Sequence, residues 1–89
     1  MHESIRIVPT SHGPKAYIPS DVAWDLVEYL SNQRVPATYS YEEFHVIVSF
    51  GYMDLQAVCA LLDKWVHVEN ELDSHMGKTR LDLLVATPA

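Results

Sequence analysis

The sequence predicts an α+β domain with two helices on one face of a predominantly antiparallel sheet. Three observations carry this prediction. Two segments, 20–33 and 54–66, repeat apolar residues at helical spacing. Shorter segments around 5–8, 35–50 and 81–85 are rich in Val, Ile, Leu, Tyr and Phe, and the clearest of them alternates apolar and polar residues. Pro9, Pro14, Pro19, Pro36 and Gly51 punctuate the intervals between them.

The first strand is "IRIV", residues 5–8, closed by Pro9. The segment from Pro9 to Pro19 reads either as an extended loop or as a hairpin whose second arm is "KAYI". Ser20 is a suitable N-cap, and Asp21 and Asp25 sit near the positive end of the helix dipole. Val22, Ala23, Leu26, Tyr29 and Leu30 form the inner side of this helix, with Asp21, Asp25, Glu28 and Asn32 opposite. Pro36 disfavours helix at Val35, so the helix is expected to stop near Gln33.

Two strands joined by a tight turn at Glu42–Glu43 follow. Phe44, Val46, Val48 and Phe50 alternate with His45, Ile47 and Ser49 in the second of them. A second helix begins near Asp54, with Leu55, Val58, Cys59, Leu62, Trp65 and Val66 as its apolar stripe. Continued at about 100° per residue, that helix brings Glu69 into the stripe, and an unpaired buried carboxylate costs several kcal/mol. Val66, Val68 and Leu72 alternate there with His67, Glu69, Glu71 and Asp73. The helix is therefore expected to end near Trp65 or Val66 and a strand to begin, with an unbroken helix to about Leu72 as the alternative. A turn over "DSHMGK" then leads to a last strand with Leu81, Leu83 and Val85 inward.

The resulting order, β-α-β-β-α-β with one possible extra strand at 66–72, resembles the split β-α-β or ferredoxin-like arrangement. The resemblance lies in element order, not in any motif, and such an order hosts too many activities to imply one.

A chain of 89 residues forms one domain, 1–89, without room for a second core. Its longest apolar run, Ala57–Leu62, is far too short to span a bilayer, and "MHESIRIV" has no export-signal pattern. With one cysteine there is no internal disulfide, which points to the cytoplasm. The formal charge is −6, and the basic residues Arg6, Lys15, Arg34, Lys64, Lys78 and Arg80 are scattered. Nucleic acid and anionic membrane are therefore disfavoured partners.

Three groups of residues are candidate sites. As a strand, His67, Glu69, Glu71, Asp73 and His75 line one side, where two of them could share a metal; the simpler reading is a solvated face. "SHGPK" and "SHMGK" share a Ser-His-x-x-Lys pattern, so His12, Lys15, His75 and Lys78 could hold an anion across two turns. Trp24 lies off the apolar stripe of its helix, and with Tyr39 and Tyr41 it offers aromatic anchors for a protein interface. Cys59 falls inside an apolar stripe, where burial keeps a thiol inert. No catalytic or cofactor-binding signature is present, and no cofactor is expected.

These features favour a non-enzymatic interaction or regulatory module that self-associates as a homodimer or binds another protein. The alternatives are a metal-binding protein or enzyme using the His67–His75 row, and an acidic inhibitor of a basic partner.

Overall fold

The computed structural model describes residues 2–51, 53–76 and 80–85. The elements are β1 (His2–Thr10), β2 (Gly13–Pro19), α1 (Ser20–Asn32), β3 (Thr38–Tyr41), β4 (His45–Ser49), α2 (Leu55–Met76) and β5 (Arg80–Val85). The five strands form one sheet in the order β3-β4-β2-β1-β5. Every neighbouring pair is antiparallel except β1 with β5.

The α+β class and the two helices match the sequence reading; the strand order does not. Pro9 does not end the first strand. β1 continues to Thr10 and turns back into β2, so the segment after Pro9 is a hairpin. The additional strand is therefore N-terminal, and β1 inserts between β2 and β5. Pro9 and Pro14 face each other near the turn, at the end of the ladder, where a missing N–H costs least. Gly13 has a φ of 105°, and a Cβ there would lie 1.6 Å from the carbonyl oxygen of Gly51. Only glycine fits between the hairpin and the β4–α2 connection.

One face of the sheet carries the core. Ile5 and Ile7 of β1, Ala16 and Ile18 of β2, and Val46 and Val48 of β4 are all buried on it. Register aligns them, since Ala16 pairs with both Ile7 and Val48, and Ile18 with Val46. Leu26 and Leu30 of α1, with Val58, Leu62 and Trp65 of α2, cover this face almost without exposure. Burial of each such side chain contributes about 1.5–3 kcal/mol before the entropy of ordering is subtracted.

Helix α1 begins at Ser20, one residue earlier than a Ser20 cap implies. Pro19 occupies the cap position and no side chain caps the helix. The Ser20 N–H instead donates to the Phe44 carbonyl at 3.0 Å, tying the helix start to the entry of β4. At the other end, the Val35 N–H bonds to Leu30 O and the Arg34 N–H to Ser31 O. This is a Schellman closure, with Arg34 in the left-handed position at φ 57°.

Two further expectations are corrected. Phe44 is 70% exposed and does not join Val46 and Val48 in the core. It precedes β4 and lies in the bend closed by the Glu42 N–H to His45 O bond, so strand alternation has not yet begun there. In β5, Leu83 packs on the core, whereas Val85, at the end of an edge strand, is exposed; the Leu81 side chain lies outside the described residues.

The larger correction concerns residues 66–72, which are helix. α2 runs unbroken from Leu55 to Met76. Val66 is buried and Val68 is exposed, as a helix requires and an alternating strand does not. Twenty-two helical residues extend about 33 Å, against about 20 Å for a six-residue strand. Beyond Val66 the described side chains of α2 are exposed or half-buried, so the core-facing stripe ends there while the helix continues. Glu69 is only half-buried there and is not without a partner, so the unpaired buried carboxylate that argued against helix does not arise.

Candidate functional site

Because both helices lie on one side, no described element covers the other face of the sheet. Its residues are fixed by the same register. Arg6, Tyr17, Ile47 and Ser40 form one cross-strand row; Val8, Lys15, Ser49 and Thr38 form the next. Val8, Tyr17 and Ile47 are half-exposed, Leu84 of β5 is exposed, and none of the four packs against the core. Among the described side chains, every carboxylate lies on a helix, in the β3–β4 turn, or at Asp54 before α2. The open face therefore carries Arg6 and Lys15, with Asp21 at its rim; Asp82 takes the register position beside Ser4, its side chain lying outside the described residues.

A hollow of about 490 Å3 lies at one end of this face. Its lining comes from β1 (Ser4, Arg6), β2 (Tyr17, Pro19), the first turn of α1 (Ser20, Asp21) and the entry to β4 (Phe44, His45). Register explains the shape. Arg6 pairs with Tyr17 and Pro19 with His45, which brings Ser4 beside Pro19. Those two small residues form a low floor between taller neighbours.

The predicted site residues are distributed as follows. Trp24 is 70% exposed and its ring lies 6.5 Å from that of Tyr41, which is 64% exposed. Tyr39 does not join them; it packs on the core, where burial and then the neighbouring Tyr41 raise its phenol pKa. Phe44, which the sequence reading sent inward, is the third exposed aromatic at this corner of the sheet. The signal missed was its position directly after a two-carboxylate turn, before the ladder starts.

His12 and Lys15 line a second open hollow, of about 590 Å3, with Thr38, Ser49 and Gly51. The elements that flank the two loops of the Ser-His-x-x-Lys pair lie at opposite ends of β1. Thr10 pairs with Gly13 at one end of β1, whereas His2 pairs with Arg80 at the other. The two ends are about 26 Å apart at strand rise. Lys78 lies outside the described residues, as does the side chain of His75.

The His67–His75 row loses its premise with the strand. On α2, His67, Glu71 and His75 recur every four residues, while Glu69 and Asp73 are offset by about 200°. Among the described residues, no three His, Cys, Asp or Glu side chains are grouped so as to hold a metal; the side chains of Asp73 and His75 are not described. Cys59 is half-buried, and its thiol pKa is raised by desolvation and then by the charge of Asp54. Among the described residues, no helix is long and apolar enough to cross a membrane.

Fold and surface thus define an α+β domain whose five-stranded sheet is covered on one side. No protein-family model matches the chain, and no curated protein or solved structure is significantly similar to it.

Proposed function

We propose that this chain is a non-enzymatic protein-interaction module that self-associates, with a second copy seated on the open face of its sheet. The observation that carries the reading is the distribution of charge. The chain has a net charge of −6, yet its described carboxylates, Asp21 at the rim apart, avoid this face. Two copies that meet there keep their acidic helices apart; any contact between helical faces sets like charges against each other. Half-exposed Val8, Tyr17 and Ile47 supply apolar area at the centre of the face.

The available area limits the strength. Five strands about 4.8 Å apart and about 20 Å long offer roughly 450 Å2 of flat surface per copy. That places the pair at the low end of specific interfaces, and the association should be weak and reversible. Sedimentation equilibrium tests it with wild type and Ile47→Asp, which adds a carboxylate at a position outside the core. Wild type should shift from monomer towards dimer with rising concentration, and Ile47→Asp should stay monomeric while folded. A wild-type monomer at millimolar concentration overturns the reading.

A further inference from the structure

The hollow at the end of the open face has a composition that self-association does not call for. It joins one guanidinium, from Arg6, to an imidazole, from His45, and to the hydroxyls of Ser4, Ser20 and Tyr17. Beside these polar groups stand the rings of Phe44, Tyr17 and Pro19. We propose that this hollow binds a small organic anion with a flat apolar body, its phosphate or carboxylate on Arg6 and its ring against Phe44.

Four features support the assignment. The volume of about 490 Å3 falls within the usual range for small-ligand sites, roughly 300–1,000 Å3. A guanidinium presents a planar fork that matches two oxygens of a phosphate or carboxylate. Phe44 stands 70% exposed at the rim, and the bond from the Ser20 N–H to its carbonyl ties its backbone to the start of α1. Its ring therefore stands as an exposed aromatic wall beside the hollow. Finally, α1 starts beside the floor with no side-chain cap, so its first-turn amides add positive potential.

Asp21 is the one carboxylate among the described lining residues. It selects against highly charged anions and favours a ligand with a single anionic group. The site belongs to one chain, and because Arg6 and Tyr17 also stand in the face proposed for pairing, a ligand there should compete with a second copy.

The test is two-dimensional NMR on the full chain, below the concentration at which it self-associates, with phenyl phosphate as probe. Inorganic phosphate and phenol serve as the half-ligands. Phenyl phosphate should give saturable shifts at Arg6, Tyr17, Phe44 and His45 below about 10 mM. Either half alone should bind at least about tenfold more weakly, and so should phenyl phosphate to Arg6→Ala or Phe44→Ala. Both variants alter exposed side chains, and a retained spectrum elsewhere confirms their fold. The proposal is overturned by the absence of saturable shifts, by shifts confined to other residues, or by unchanged binding in Arg6→Ala.

Discussion

The rings of Trp24 and Tyr41 lie 6.5 Å apart at an interplanar angle of 37°, on two elements distant in sequence, and both remain largely exposed. The pair joins the outer side of α1 to the edge strand β3. Such a contact is worth about 0.5–1.5 kcal/mol, so Trp24→Ala should cost no more than about 1.5 kcal/mol in urea unfolding. Trp65 is 1% exposed, and Trp65→Ala should cost about 3–5 kcal/mol. Acrylamide should quench Trp24 emission readily and leave that of Trp65 largely protected.

Two positions of positive φ, Gly13 and Arg34, predict shifts of opposite sign. Gly13→Ala forces a Cβ onto the Gly51 carbonyl at a φ of 105° and should destabilise by at least about 2 kcal/mol. Arg34 holds φ 57° at the end of α1 with an exposed side chain. Arg34→Gly should relieve the Cβ strain there and stabilise by about 0.5–1 kcal/mol. Denaturation midpoints of the two variants measure both.

The elevated pKa of Cys59 gives a prediction in pH. Desolvation, and then the charge of Asp54, favour its neutral thiol in the folded state. Folded protein therefore holds this proton more tightly than unfolded protein. The associated stability is complete below the ordinary thiol range and is lost as pH rises through it and beyond. Alkylation by iodoacetamide should be slower than in the urea-unfolded chain at equal pH, with its midpoint at higher pH. Asp54→Asn should move that midpoint part of the way back.

Much of the fold was legible because local rules agreed with packing. The apolar spacing from Val22 to Leu30, the Glu42–Glu43 turn and the Val46–Val48 alternation all survive in the structure. The failures share one cause. The period of apolar residues reports an element only where that element lies over the core. After Val66 the described part of α2 buries no further side chain, so Val68 and Glu69 carry no helical stripe to read. Phe44 failed for the related reason that its alternation begins one residue later. The open face was anticipated from two helices on one side. The hollow was not, because it depends on register that pairs Arg6 with Tyr17 and Pro19 with His45.

Self-association through the uncovered side of the sheet is tested most directly by backbone amide shifts followed over a concentration series. The account predicts progressive, saturating shifts at Arg6, Val8, Tyr17, Ile47 and Ser49, with α1 and the described part of α2 unchanged on their outer sides. Shifts confined to Trp24 and Tyr41 at the sheet corner, or none at any concentration, would contradict it.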